Sequence, residues 1–285
     1  MLRKAIGTVV LILCCMYSGG CGVVQNQPAD EDLSLVLAGM DGSDGVSFEG
    51  AAGLLIGGMA VPESELYYGG KIEDHNKVSL HTLLPDEQGL PKTAGTSSRQ
   101  QQAQSYSAAP SYSTRLEKKD GEWAMLSALP GEMESNPLPA LNPLRQLEEL
   151  EGRVKQVTEE TGAARGTRIL RIELSSAEAR KQLTAELEEK MQEIRPAEIS
   201  GKSQEGAAQP LEVTKALNDL WDQKNTELLQ KLEQAEIRSV YYLKVDSRHN
   251  RPSRLTWTRT VSYPGEGGAS DEEAYVTKVD FYGYR

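Results

Sequence analysis

The sequence lacks most of the residue patterns that carry chemistry in proteins. Its three cysteines all fall at or before position 21, so the rest of the chain can form neither an internal disulfide nor a thiolate metal site. Three histidines are present, His75, His81 and His249, and no pair has a metal-ligand spacing such as HExxH. A nucleophile elbow, GxSxG, and a P-loop are also missing. We therefore predict no enzyme activity, no catalytic residue, no metal and no cofactor.

Positive charge is also in short supply. The chain has 31 Lys and Arg residues against 42 Asp and Glu, a formal net charge of −11. Such a charge repels polyanions, which excludes nucleic acid as a partner and also an anionic lipid surface bound through a basic patch. Acidic pairs such as Glu159 with Glu160 fall in or beside predicted turns, where a solvated charged run is a better interpretation than a hydrolytic carboxylate pair.

No apolar run is long enough to cross a membrane, although one stands near the start of the chain. Two basic residues precede an uninterrupted run of 13 apolar and small residues, 5–17, whereas a membrane-spanning helix needs about 20. Small residues then lead to Cys21. A positive start, an apolar stretch and small residues before a cleavage point are the three parts of a signal peptide, which we assign to residues 1–20.

The tetrapeptide Ser18-Gly19-Gly20-Cys21 resembles the bacterial lipobox, in which small residues precede a lipid-modified cysteine. Lipoproteins usually carry Leu where this chain has Ser18. The resemblance implies a diacylglyceryl group on the Cys21 sulfur, with residues 21–29 forming the lipidated cysteine and a polar tether. Two or more acyl chains would anchor the protein on the extracytoplasmic face of a cell membrane. A retained transmembrane anchor is the alternative interpretation of the same segment.

Beyond the tether, hydrophobic periodicity predicts one α+β domain over residues 30–285. Segments of strand character are mostly joined by turn residues, which favours hairpins and therefore an antiparallel sheet. These segments are 46–58, 66–72, 78–84, 112–116, 122–126, 153–158, 167–174, 239–245, 254–263 and 275–282. A Pro-, Ser- and Gln-rich stretch at about 85–110 has too few apolar residues to offset its ordering entropy, so we expect a mobile insertion there.

Helical periodicity and capping residues predict four helices. They span 30–40, 143–150, 175–194 and 211–237. Asn142 is the expected N-cap of the second helix, and Ser175 with Glu178 forms a capping-box pattern at the third. The two longer helices carry apolar stripes, so we expect them to cover the buried face of a curved sheet, a half-barrel with an apolar interior.

The segment Val240 to Asp246, followed by Arg251 to Trp257, resembles a recurring hairpin of the LolA-like lipoprotein carriers and the related LppX/LprG-type mycobacterial lipoproteins. In these proteins a strand ends in Asp, a turn reaches Pro, and the next strand follows. The resemblance covers about the last 140 residues, and the insertion at 85–110 and the long helices depart from the shorter members. It implies a cavity that holds acyl chains, and it transfers no ligand-binding residue by motif.

Aromatic residues crowd the last 45 positions at strand spacing, where about half should face inward. Ordinary core packing is one interpretation, and an aromatic lining for an apolar ligand is the other. Candidates for such a lining are Leu217, Trp221, Tyr242, Trp257 and Tyr275. We therefore expect a lipid-anchored protein that binds a lipid or acyl chain between sheet and helices. The alternative is a non-catalytic adaptor or regulatory lipoprotein that has an envelope protein as its partner and a filled core.

Overall fold

The computed structural model describes residues 28–41, 45–83, 111–126, 136–196, 211–264 and 270–285. The predicted signal peptide, Cys21, most of the tether and the predicted insertion at 85–110 lie outside these ranges.

Within the described part of the chain, no helix is both long enough and apolar enough to cross a membrane.

One open antiparallel sheet of eleven strands dominates the described residues. The strands are β1 (Gly45–Ile56), β2 (Met59–Ala60), β3 (Leu66–Glu73), β4 (Lys77–Thr82), β5 (Ser113–Lys119), β6 (Glu122–Met125), β7 (Lys155–Glu159), β8 (Thr167–Leu174), β9 (Glu236–Asp246), β10 (Arg251–Pro264) and β11 (Ser270–Tyr282). Their order is β6-β5-β4-β3-β1-β11-β10-β9-β8-β7, and β2 pairs with β1. The predicted α+β class with a largely hairpin-joined sheet is confirmed.

Four α-helices accompany the sheet in the described ranges: α1 (Ala29–Asp41), α2 (Pro143–Glu148), α3 (Ser176–Glu193) and α4 (Leu211–Gln234). The two predicted N-caps are confirmed. The Asn142 side chain accepts from the backbone N–H groups of Leu144 and Arg145, and the Ser175 hydroxyl accepts from the N–H of Glu178.

Helix α4 ends at Gln234, three residues before its predicted end, because β9 begins at Glu236. The guanidinium of Arg180 in α3 donates to the carbonyl oxygens of Leu232, at 2.9 Å, and Ala235, at 2.8 Å. These carbonyls have no partner within the helix, so a cation from the neighbouring helix satisfies them and fixes the end of α4.

Alternation along the strands separates a buried face from a solvated one. In β9 the buried positions are Ile237, Ser239, Tyr241, Leu243 and Val245, and the residues between them are exposed or half-buried. Because successive side chains point to opposite faces of a strand, one register decides which residues enter the core. The buried apolar residues of the strands and helices form a contiguous core.

Two inward-facing glycines make room for aromatic rings. A Cβ on Gly70 would lie 1.9 Å from the carbonyl oxygen of Ser79 and 2.8 Å from the ring of Phe48. A Cβ on Gly50 would lie 2.7 Å from the ring of Tyr68. Both rings are fully buried and meet edge to face with centroids 6.5 Å apart. The glycines let the rings lie flat across the neighbouring strands.

The sheet curves around α2. Trp123 in the edge strand β6 donates through its ring N–H to Glu148 at 3.0 Å. Helix α3 packs on β9, and its Gln182 donates at 3.1 Å to Glu149, the residue that follows Glu148. In a flat sheet β6 and β9 would lie about 34 Å apart, at about 4.8 Å per strand. Trp123 of β6 and the helix that packs on β9 both contact the end of one short helix, so the sheet bends, which agrees with the predicted curvature.

The prediction that the two long helices cover the buried face needs correction. Ala179 and Leu183 of α3 are buried, as are Trp221 and Leu232 of α4, but three apolar residues of α4 are 42–50% exposed: Val213, Leu217 and Leu220. The rest of the cover comes from shorter elements, α1, α2 and the 3-10 turn Leu138–Leu141. A 24-residue helix is about 36 Å long, so one end of α4 contributes to the core while much of its length does not.

Helix α1 is fixed to the sheet by an ion pair. The Arg168 guanidinium of β8 donates to the buried Asp32 carboxylate at 2.8 Å and to the side-chain oxygen of Asn250, in the β9–β10 turn, also at 2.8 Å. One cation therefore joins the helix, a strand and a turn. A buried carboxylate needs such a partner, because an unpaired charge in the protein interior is costly.

Candidate functional site

A cleft of about 580 Å³ lies between the inner face of the sheet and helices α2 and α3. Its floor is apolar and is formed by β1, β3, β6, β10, β11 and the 3-10 turn, through Ala52, Leu66, Met125, Leu141, Trp257 and Tyr275. Leu187 of α3 adds an aliphatic side chain from the opposite side. This volume falls in the range of about 300–1,000 Å³ that is typical of small-molecule sites.

Two aromatic rings of the floor, Trp257 and Tyr275, pack together with Tyr241, which does not line the cleft. Trp257 stacks on Tyr241 with ring centroids 5.4 Å apart and an interplanar angle of 3°, and it meets Tyr275 edge to face at 5.8 Å. The indole N–H of Trp257 donates to the Ser239 hydroxyl at 2.8 Å. Its one polar atom is therefore satisfied, and the ring offers an apolar face at little entropic cost.

The two tyrosines that pack on Trp257 are neutral. Burial raises the pKa of Tyr241 to about 12, although hydrogen bonds from Ser239 and Gln182 partly oppose this effect. Burial also raises the pKa of Tyr275 above its ordinary value. Desolvation disfavours the phenolate, so neither ring adds charge to the floor near neutral pH.

Charged side chains surround the apolar floor. Arg259 lies above the ring of Trp257, 4.9 Å from its centroid, and donates to Glu186 of α3 at 2.6 Å. Arg145 donates to Glu149 at 3.0 Å, and Lys190 donates to Glu193 at 2.7 Å. These three are the basic residues of the described lining, and a glutamate partners each of them. Each basic residue of the rim is thus balanced by a glutamate, and Glu189 is a fourth glutamate of the lining.

Two buried amides complete the polar side of the cleft. Gln146 of α2 and Gln182 of α3 both line it, and each is almost fully buried. Gln182 donates from Nε2 to Glu149, and Gln146 donates from Nε2 to the carbonyl oxygen of Ala140 at 3.5 Å. In the described part of the chain, the Oε1 atom of each amide has no hydrogen-bond donor.

The structure brings together two of the five predicted lining residues, Trp257 and Tyr275. Tyr242 does not belong to the lining, because its ring is 39% exposed on the outer face of β9 and Tyr241 holds the inward position. Because Tyr241 and Tyr242 are adjacent, the sequence did not decide which of the two rings faces inward. The pairing of β9 with its neighbouring strands decides it.

The two predicted helix residues also lie away from the cleft. Leu217 is 42% exposed on α4. Trp221 is buried, but its indole N–H donates to the carbonyl oxygen of Met191 at 2.8 Å, and Arg195 lies over its ring. Trp221 therefore joins α3 to α4. The inward stripe of α4 includes Trp221, Leu228 and Leu232, at helical spacing. Leu217 lies one turn before Trp221 on the same stripe, but this part of the helix is exposed.

Arg259, Gln146 and Gln182 were absent from the sequence-based candidates. Arg259 follows Trp257 by two residues in β10, so strand periodicity alone places it on the same face. The glutamines gave no such signal, because each lies on a helix whose orientation depends on tertiary packing.

The described residues contain no group of three or more His, Cys, Asp or Glu side chains arranged to hold a metal ion. His75 and His249 lie in turns and His81 lies on β4. His249 contacts Asp246 through Nδ1 at 2.7 Å, within its own turn. None of the three lines the cleft.

No protein-family model matches the chain, and no curated protein matches it by sequence. Among solved structures it is similar to a LolA superfamily protein from Nitrosomonas europaea, at 8% identity and a TM-score of 0.25, over 91% of this chain and 93% of the other. It is also similar to a DUF1329 family protein from Desulfovibrio piger, at 10% identity and a TM-score of 0.20, with the same two coverages.

Proposed function

We propose that this protein binds an amphiphile, with its acyl or other apolar chain laid on the floor of the cleft. The observation that carries this proposal is the juxtaposition of an apolar, aromatic floor with a charged rim in one 580 Å³ cleft. A purely hydrophilic ligand would not match the aliphatic side chains of the cleft, such as Leu66, Met125 and Leu187. A hydrocarbon without a head group would leave the polar side unused.

The energetics favour an acyl chain. Each buried methylene contributes about 0.8 kcal/mol, so about eight methylenes in the cleft contribute on the order of 6 kcal/mol. Ordering the chain and losing translational freedom offset part of this gain. The rigid aromatic floor needs little reorganisation, because its rings already pack on one another. Micromolar binding, about −8 kcal/mol, is therefore the scale to expect once polar contacts add to burial.

A bulky residue at the cleft tests the proposal. Ala140, in the 3-10 turn, is exposed yet lines the cleft, so Ala140→Trp should occupy ligand space without opening a cavity in the core. We expect the variant to bind a fluorescent fatty-acid analogue at least about tenfold more weakly than the wild type, a loss of roughly 1.4 kcal/mol. The measurement is a fluorescence titration of the purified domain.

Ala124→Trp is the matched control, because Ala124 is exposed on β6 and does not line the cleft. It should bind the analogue as the wild type does. If the wild-type domain binds no fatty-acid analogue and its organic extract contains no lipid, the proposal fails. An adaptor or regulatory protein would then be the better interpretation.

We also propose, from the sequence, that the chain is exported and anchored through lipid on Cys21 to the extracytoplasmic face of a cell membrane. The basis is the basic start, the 13-residue apolar run and the tetrapeptide Ser18-Gly19-Gly20-Cys21. An anchored domain would meet amphiphiles at the membrane surface, which fits a cleft with an apolar floor. An envelope protein partner that delivers or receives the ligand belongs to the same proposal.

A further inference from the structure

The polar side of the cleft holds two amide oxygens that no described group satisfies. Gln146 is 6% exposed and Gln182 is 5% exposed, and the Oε1 atom of each is buried without a donor. An acceptor that is buried without a donor loses its hydrogen bonds to water and gains none in return. Such groups are therefore few in native proteins, and each of them calls for an explanation. Two of them in the lining of one cleft indicate a ligand that donates hydrogen bonds.

The partners of the two amides fix which way each amide points. Gln182 donates from Nε2 to a carboxylate oxygen of Glu149 at 3.1 Å, and Gln146 donates from Nε2 to the carbonyl oxygen of Ala140 at 3.5 Å. An ionised carboxylate and a backbone carbonyl only accept hydrogen bonds, so a flipped amide would set oxygen against oxygen. Both Oε1 atoms therefore point away from these partners, and neither has a donor among the described residues.

The charges of the rim argue against an anionic head group. Arg145, Lys190 and Arg259, the basic residues of the described lining, are each within 3.0 Å of a glutamate. The lining contains four glutamates in all, one more than its basic residues. A carboxylate or phosphate ligand would meet cations whose charge a glutamate already balances and would bring a further negative charge close to four glutamates. A neutral donor meets the amide oxygens without this repulsion.

We propose that the cleft selects amphiphiles whose head group is neutral and rich in hydrogen-bond donors, with a diol such as that of a monoacylglycerol donating to Oε1 of Gln146 and Gln182. This inference rests on the amphiphile-binding function proposed above and adds the chemistry of the head group. The aromatic floor holds the chain, and the two amides distinguish one head group from another.

The test compares three ligands that share a twelve-carbon acyl chain, each below its critical micelle concentration. Monolauroylglycerol has two free hydroxyls, methyl laurate has no donor, and laurate is an anion. Each displaces a fluorescent fatty-acid analogue from the purified domain. We expect monolauroylglycerol to bind about tenfold more tightly than methyl laurate, and laurate to bind no better than methyl laurate.

Variants of the two amides connect the preference to these residues. The double variant Gln146→Met with Gln182→Met keeps side-chain volume and removes both acceptors, so the preference, measured as the ratio of the affinities for monolauroylglycerol and methyl laurate, should disappear. The circular dichroism spectrum of the variant reports whether it is folded. Gln192→Met, exposed on α3 and outside the lining, is the control and should retain the preference. If the double variant does not fold, each single variant should reduce the preference.

The outcomes distinguish a failure of this inference from a failure of the proposed amphiphile binding. Equal affinities for the three ligands would overturn the inference and leave amphiphile binding intact. Tightest binding of laurate would overturn it in favour of an anion site, and a preference that survives in the folded double variant would overturn it as well. Displacement of the analogue by none of the ligands, together with no binding of the analogue itself, would instead remove the proposed function.

Discussion

Trp257 is the side chain on which most of the cleft floor depends. One face of its ring stacks on Tyr241, its edge meets Tyr275, and Arg259 lies over it. Its N–H is held by Ser239 in the neighbouring strand. These contacts leave the indole one orientation, so the floor is shaped before a ligand arrives. Such preorganisation reduces the entropic cost of binding.

From the raised pKa of Tyr241 we expect the free energy of unfolding to fall at alkaline pH. The ordinary pKa of a tyrosine is 10.0, and burial raises that of Tyr241 to about 12 in the folded protein. Below pH 10 the phenol is protonated whether the chain is folded or not. Between pH 10 and 12 it ionises only on unfolding, so the free energy of unfolding falls as the pH rises, by up to about 3 kcal/mol.

Urea unfolding at pH 9, 10 and 11 measures this effect. The wild type should lose stability steeply above pH 10, and Tyr241→Phe, which keeps the stacked ring, should lose it less steeply. Tyr68, whose pKa burial also raises, contributes to the part of the slope that remains. Identical slopes for the two proteins would contradict the assignment.

At the scale of elements, the pair formed by α3 and α4 has two roles. Its sheet-proximal parts, with Ala179, Leu183 and Leu232, belong to the core. Further along, Trp221 of α4 binds the backbone of Met191 in α3 and keeps the pair together. The middle of α3 supplies Gln182, Glu186 and Lys190 to the cleft. The position of the cleft wall therefore depends on how α4 is held against α3.

Arg180 is the residue that holds the end of α4, and removing its guanidinium should weaken the protein. Arg180→Met keeps the apolar stem but removes the donors to the carbonyl oxygens of Leu232 and Ala235. Charge-assisted hydrogen bonds at a helix C-terminus are worth more than neutral ones, so we expect a loss of about 2 kcal/mol in the free energy of unfolding. Urea denaturation measures it.

Lys181→Met tests the same substitution one residue along, at an exposed position of α3. It should change stability by no more than about 0.5 kcal/mol, as surface substitutions usually do. A loss as large as that of Arg180→Met would show that the positive charge of α3 matters rather than the contact with α4.

At the scale of the whole molecule, the last strand completes the sheet. Strand β11 pairs with β1 on one side and with β10 on the other, so the two halves of the sheet meet through it. The first strand and the last are neighbours, with Ser47 opposite Tyr282 and Ile56 opposite Glu273. The cleft draws residues from both halves, and it can form only when these distant segments have paired.

The proposed anchor is also a property of the whole chain, and labelling can test it. Expressed in a bacterial host with a clickable fatty acid, the wild-type chain should acquire the label and sediment with membranes. Cys21→Ser should abolish both, since the thiol that accepts the diacylglyceryl group is gone. Cys14→Ser and Cys15→Ser provide matched controls within the apolar run and should keep the label. An unlabelled wild-type chain, or one that still begins at Met1, would disprove the anchor.

Interactions between residues close together in the chain were enough to predict much of the secondary structure from the sequence alone. The caps Asn142 and Ser175, the hairpin turn at Asp120-Gly121 with its positive φ angles, and the alternation in β9 each depend on neighbours a few residues away. A short polar side chain, a glycine and a period of two act within one turn or strand, so the α+β class and the antiparallel pairing followed from them.

Only the tertiary structure decided which residues form the cleft. Tyr241 rather than Tyr242 faces inward because pairing with β8 and β10 sets the register of β9, and a shift of one residue would exchange them. Trp221 joins two helices, and Gln146 and Gln182 line the same cleft although 36 positions separate them in sequence. Contacts between distant segments depend on the summed packing of the sheet and its helices, which no local pattern encodes.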